Sequence, residues 1–186
     1  MAFSVPDPVD VSFRSPSAGR VTFDEMFRLI RAYVEEGMEA GFGEYNLIIG
    51  TDSCPGDETS FVSAVVIHRV GHGGRYFYTR HRGERIRNMR QRLFYETARS
   101  LELASLVSAR LSDDGLDGLA VEIHLDVGTG GESRDIIREV VGMVTGSGFA
   151  ARTKPDSYGA SKVADRHSRS EGGAAGGVQT GKGAAR

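Results

Sequence analysis

The sequence contains a single cysteine, Cys54. No disulfide can form within it, and a reducing compartment is the expected setting. No apolar run approaches the roughly 20 residues that a membrane span requires. The first residues, Met-Ala-Phe-Ser-Val-Pro-Asp-Pro-Val-Asp, lack a basic segment followed by an apolar one, so a secretory leader is not expected and the cytoplasm is the expected location. There is no internal repeat of fixed period. Neither charge sign dominates: the formal net charge is -2 and the pI about 6.2. A global basic field is thereby excluded, and any contact with nucleic acid must rest on a local patch. No cysteine cluster is present to hold zinc.

The 186 residues are enough for one domain of ordinary size, and 39% hydrophobic with 26% charged residues is a globular composition. The segment 1–20 is rich in proline, serine and aspartate and reads as an irregular lead-in. Thr22-Phe-Asp-Glu25 has capping-box spacing, and Phe23, Met26, Phe27, Ile30, Tyr33 and Val34 recur at helical spacing. A helix over 23–36 follows, ended by Gly37 and Gly41. Three strands are expected next, at 45–52, 60–70 and 75–81. The short turns Pro55-Gly56-Asp57 and Gly71-His-Gly-Gly74 join them into an antiparallel meander. A long helix over 85–111, a strand at 119–127, a helix at 133–145, a strand at 149–154 and a last helix at 158–168 complete the order. From residue 170 the glycine- and alanine-rich tail has little to bury and is expected to be disordered. The implied architecture is α/β: a mixed five-stranded sheet with helices on both faces.

Placed on this map, the acids form a pattern. Asp52 and Asp126 each end an apolar strand, where α/β sheets bind ligands. Glu96 lies in the long helix and Asp165 in the last one. If the first and fourth strands of the five are neighbours, Asp52 and Asp126 lie side by side. Two ionised carboxylates so placed repel unless a cation sits between them. Hard oxygen donors favour Mg2+ or Mn2+, and Glu96 and Asp165 can complete one or two such sites for phosphodiester hydrolysis. The competing reading of each acid is ordinary: a strand-end cap for Asp52 or Asp126, a solvated helix residue for Glu96, a surface partner of Arg169 for Asp165.

Five segments carry a resemblance: Ile49-Gly-Thr-Asp-Ser53, Met89-Arg-Gln-Arg-Leu93, Ile123-His-Leu-Asp-Val-Gly128, Val141-Gly-Met-Val144, and Lys154-Pro-Asp-Ser-Tyr158 with Val163-Ala-Asp-Arg-His167. Together they resemble the YkuK-type ribonuclease-H-like proteins, a family of small bacterial proteins. The resemblance spans roughly 49–168. It implies a ribonuclease-H-like fold and makes Asp52, Glu96, Asp126 and Asp165 the analogues of that superfamily's metal-binding acids. The helix at 23–36 is then an addition to the minimal fold.

The segment 75–92 holds Arg75, Arg80, Arg82, Arg85, Arg87, Arg90 and Arg92 interleaved with Tyr76, Phe77 and Tyr78. Arginine forks suit phosphate oxygens and aromatics stack on bases. Arg80, Arg82, Arg85, Arg87 and Arg90, with Lys154 and Lys162 near the last strand–helix junction, are therefore the candidate nucleic-acid contacts. The alternative is a solvated face paired with Glu84, Glu96 and Glu102. His124 shares the face of Asp126 by alternation, and His167 follows Asp165 by two residues; both are candidates to support the acids. Gly128-Thr-Gly-Gly-Glu-Ser133 lacks the Gly-Lys-Ser/Thr ending of a P-loop and reads as a tight strand-to-helix turn.

The expected function is a Mg2+- or Mn2+-dependent nuclease acting on RNA, hybrid or structured DNA. Two alternatives differ in class. One is a non-catalytic nucleic-acid or protein-binding module on the same fold. The other is a nucleotide-binding protein of the actin and sugar-kinase type, hinted at by Gly50-Thr-Asp and Asp126-Val-Gly, although such proteins pair two domains and this chain has the length of one.

Overall fold

The computed structural model describes residues 12–128, 134–157 and 159–169. At its centre is strand β3 (Tyr45–Cys54). Its apolar run, Leu47-Ile-Ile49, is buried on both sides, as a central strand requires. Strand β4 (Thr59–Arg69) pairs with it antiparallel, and β5 (Gly74–Gly83) pairs antiparallel with β4, so the expected meander is present. On the other side β6 (Ala120–His124) runs parallel to β3, and β7 (Ala150–Arg152) parallel to β6.

The sheet is larger than expected. Strands β1 (Phe13–Ser15) and β2 (Gly19–Val21) form a hairpin on the free side of β5, giving a seven-stranded sheet in the order β2-β1-β5-β4-β3-β6-β7. The segment read as irregular thus carries two strands of three residues each. Runs so short show no alternation to detect. Phe13 and Val21, directly opposite each other, are 1% and 6% exposed and join the main core.

Helix α1 (Phe23–Glu39) starts as expected: Thr22 accepts from the Glu25 amide, and the Glu25 carboxylate accepts from the Thr22 amide. Helix α2 (Met89–Asp113) begins four residues later than expected, because the Asn88 side chain accepts from the Gln91 amide and caps it there. Arg85 and Arg87 therefore lie in the connection before α2. Helix α3 is Arg134–Gly146 and α4 is Ala160–Arg169. The glycine loop lies mostly, and the tail wholly, outside the described residues.

Strand alternation divides the core. Leu47 and Ile49, with Val65, Ile67, Phe77 and Ile123, face α1, α2 and α3 in the main cluster. Ile48, Val62 and Ala64 face the opposite way, where Ala160 and Ala164 of α4 pack on them. Among the described residues, no helix is long and apolar enough to cross a membrane.

Gly37 does not end α1, although its composition signal says so; the helix continues to Glu39 and stops at Gly41, whose φ is 85°. The Phe42 amide bonds to the Gly37 carbonyl and the Gly41 amide to Met38, the usual glycine-terminated pattern. Gly37 is buried for another reason. Arg69 donates to the Tyr45 hydroxyl and the Tyr33 carbonyl, each at 3.0 Å, and its guanidinium lies 4.3 Å from the Tyr33 ring. A Cβ on Gly37 would overlap both the Tyr45 hydroxyl and the Arg69 guanidinium. Gly37→Ala gains about 1 kcal/mol of helix propensity. Displacing that cluster costs more, so a net loss of about 1–2 kcal/mol is expected by urea denaturation. A gain in stability would mean that the cluster yields freely.

A candidate acidic centre at the end of the central strand

The site grows out of the β3–β6 register. Ile49 lies opposite Ile123 in parallel pairing, and Asp52 and Asp126 each stand three residues further along. The chain after β6 stays in line: the Leu125 amide bonds to the Arg152 carbonyl at 2.8 Å, and the Lys154 amide to the Val127 carbonyl at 3.1 Å. The two aspartates therefore leave neighbouring strands at one level, and alternation turns both toward the face that carries α4.

Ser53, the next residue, faces the other way, toward α2. Its hydroxyl donates to Glu96 Oε1 at 2.5 Å and accepts from Arg92 at 3.5 Å. One turn later Ser100 donates to Thr51 at 3.0 Å, and Thr51 shares a 2.9 Å hydrogen bond with Ser63 of β4. These hydroxyls are buried. They lock the Glu96 turn of α2 onto β3, since each left unmade costs about 1–3 kcal/mol.

Glu96 is 9% exposed. Its pKa is pushed up to about 8, chiefly by burial, with the charges of Asp52 and Asp126 adding to the rise; the Ser53 hydrogen bond and Arg92 oppose it. Asp126 is paired with Lys154 Nζ at 2.7 Å. Asp165 is half-buried on α4, on the sheet face of Asp52 and Asp126, but is not among the charges that act on Glu96.

The donor chemistry suits a hard divalent cation. The groups are carboxylates, and burial holds one of them protonated. The spacing does not close around an ion: among the described residues, no group of three or more acidic, histidine or cysteine side chains is gathered closely enough to hold one.

The basic run is split by the strand register. Arg80 and Arg82 lie on β5, and Arg80 donates to the His167 carbonyl. Arg85 and Arg87 are exposed in the connection before α2, and Lys162 is exposed on α4. Arg90 is engaged at 2.6 Å by Glu139 of α3, and Lys154 by Asp126. Arg75 points to the opposite face, 5.0 Å from the Tyr33 ring. His124 is 2% exposed, 3.3 Å from the Glu122 carboxylate, and accepts from the Gly159 amide. Burial lowers its pKa, so it is neutral near pH 7. His167 stacks on Tyr78 at 3.9 Å, and burial together with Arg166 and Arg80 lowers its pKa. Sequence reasoning missed Ser53, the buried hydroxyls and the Lys154–Asp126 pair. Only Ser53 carried a signal, as the residue after Asp52 and so the one facing the helix behind.

Residues 25–169 match the family model described as Ribonuclease H-like. The chain belongs to the ribonuclease H-like family. It is similar to the uncharacterized protein YkuK of Bacillus subtilis (strain 168), 34% identical over 170 residues that cover 84% of this chain and 96% of the relative. The YkuK-type resemblance read from the five segments is thus borne out, with a sheet of seven strands in place of five. No solved structure matches the chain.

The state of Glu96 gives a pH signature. Unfolded, it ionises near 4.5; folded, near 8. Between these values the folded state binds the extra proton, so stability falls as pH rises from about 4.5 to 8. Glu96→Gln removes that penalty. Urea denaturation in EDTA should find the variant and the parent alike near pH 4, with the variant ahead by up to roughly 4 kcal/mol at pH 8. A gap that does not widen with pH would refute the protonated state.

Proposed function

We propose that this protein is a divalent-metal-dependent nuclease that hydrolyses phosphodiester bonds of nucleic acid at Asp52, Glu96 and Asp126, with Asp165 contributed by α4. The observation that carries the reading is that two aspartates at the ends of adjacent strands act by their charge on a buried glutamate of the helix behind them. Carboxylates grouped in a half-buried place are what a cation site requires. Mg2+ or Mn2+ bound there would polarise a phosphate and lower the pKa of a water.

The chain's own groups have distinct parts. Asp52 and Asp126 present oxygens from neighbouring strands. Glu96 accepts from Ser53 at Oε1, which leaves Oε2 to hold a proton near neutral pH and to release it beside a positive charge. Lys154 balances the charge of Asp126. Arg80 and Arg82, on the aspartates' side of the sheet by alternation, and the exposed Arg85, Arg87 and Lys162 supply contacts to the phosphate backbone.

RNA, RNA–DNA hybrid and branched DNA should be cleaved with Mn2+ or Mg2+, and Asp52→Asn should slow cleavage by roughly a hundredfold or more. Unchanged cleavage in Asp52→Asn would refute the assignment. Binding of Mn2+ near pH 7 should release a proton from Glu96. Its calorimetric heat should then vary with the ionisation enthalpy of the buffer, and this dependence should vanish in Glu96→Gln. A buffer-independent heat in the parent protein would refute the role of Glu96.

A second reading is favoured by one observation, that no three donors close around an ion among the described residues. It makes the protein a nucleic-acid-binding module without turnover. Salt-sensitive binding retained in Asp126→Asn, with no cleavage of any substrate, is the outcome that selects it.

A further inference from the structure

A second feature lies away from Asp52, Glu96 and Asp126, where the N-terminal hairpin meets β5 and the end of α4. A cavity of about 540 Å³ opens there, lined by Arg14, Arg20, Arg166, Tyr76, Tyr78 and His167. Its volume falls in the range of about 300–1,000 Å³ typical of small-ligand sites.

The strand register builds its charge. Arg20 of β2 lies directly opposite Arg14 of β1, and Arg14 directly opposite Tyr78 of β5. Cross-strand partners share a face, so two guanidinium groups stand side by side. Like charges so placed destabilise a sheet. Arg166 of α4 adds a third to the same cavity. All three are exposed, and none makes an ion pair among the described residues. Among the described residues these three arginines gather without a partner acid, which leaves a place for an external anion, and the guanidinium fork matches phosphate oxygens.

The aromatic wall says what the phosphate is attached to. His167 stacks on Tyr78 with their planes 9° apart, and its Nε2 lies 3.4 Å from the Tyr76 hydroxyl. Fixed, parallel rings beside a phosphate site suit a nucleobase. A base enters such a concavity only when splayed from its neighbours, as in single strands and not in a duplex.

The position fits a strand rather than a lone nucleotide. Tyr78 lies opposite Ala64, and Ala64 opposite Gly50, two residues before Asp52 on the same side of β3. Two strand spacings of about 4.8 Å and two residues of about 3.3 Å place Tyr78, on the near wall of the cavity, roughly 12 Å from Asp52. A short stretch of single strand covers that span.

We propose that this cavity binds one nucleotide of a single-stranded nucleic acid, with its phosphate on Arg14, Arg20 and Arg166 and its base against the tyrosine and histidine rings. The site does not depend on a metal at the acidic centre. The test therefore uses the full chain in EDTA, where loss of binding is distinguishable from failure of the nuclease reading.

Fluorescence anisotropy with a fluorescein-labelled dodecauridylate should show saturable binding. Arg20→Gln and Arg14→Gln should each weaken it roughly tenfold. Each should also lower the slope of log K against log salt by about 0.7, as for one lost phosphate contact on a single strand. The same variants should melt no lower than the parent at low salt, because each relieves the opposed arginines; a residue needed only for folding would move the other way. Arg166→Gln, on the exposed helix surface, provides a third variant outside the hairpin. No binding, or binding unchanged when Arg14 and Arg20 are both replaced, overturns the proposal. Competition by uridine monophosphate well below millimolar concentration overturns the strand assignment in favour of a free nucleotide. Equal competition by inorganic phosphate overturns the role of the rings.

Discussion

The carboxylates of Asp52, Glu96 and Asp126 lie near the carboxyl end of β3, without closing around an ion among the described residues, and the register of that one strand sets their places. Consecutive residues of a strand point to opposite faces. Asp52 therefore belongs to the α4 side with Asp126, while Ser53 belongs to the α2 side and carries the hydrogen bond that fixes Glu96. A slip of one residue would exchange the two and send the aspartate into the hydroxyl cluster of Thr51, Ser63 and Ser100. The long apolar run before Asp52 prevents this. Leu47 and Ile49 fill the large core and Ile48 the small one, so a slip would force side chains that fit one core into the other.

The two faces of the sheet do different work. The α1–α3 side holds most of the large buried side chains, Phe13, Phe27, Met26, Phe77 and Ile67 among them. The α4 side is thinner and built on alanine, which lets the last helix lie close to β3 and β4. Gly159, just before that helix, sits where a Cβ would come within 2.9 Å of Ile48 Cδ1. The candidate nucleic-acid contacts on the sheet itself, Arg80 and Arg82, share this thinner side with Asp52 and Asp126. Under the proposed function, bulky packing there would fill the surface that a substrate must reach.

Much of the architecture was legible because its signals are periodic. The apolar stripe of α1, its capping box, the alternation of β5 and the continuous run of β3 each announce an element over many residues. What stayed hidden was short or long-range. The strands of the hairpin are too brief to show a period. Gly37 looked like a helix stop because glycine has two uses, and only the approach of Tyr45 and Arg69 reveals which applies. The acids were readable as strand and helix residues. The raised pKa of Glu96 follows from burial and two distant charges, which no local pattern encodes. The arginine run read as one patch, yet alternation and α3 distribute Arg75, Arg80 and Arg90 among separate surroundings. Arg14 and Arg20 drew no attention at all, being six residues apart in a segment without periodicity.

The outermost strands of the sheet, β2 and β7, have only three residues each. A bare strand edge is a template on which another chain can add its own backbone, and its hold grows with the number of amides and carbonyls it offers. Here both rims offer very few. Growth of the sheet from one molecule into the next through these two strands is thereby discouraged, and the longest strand, β4, is kept inside, paired along its length on both sides.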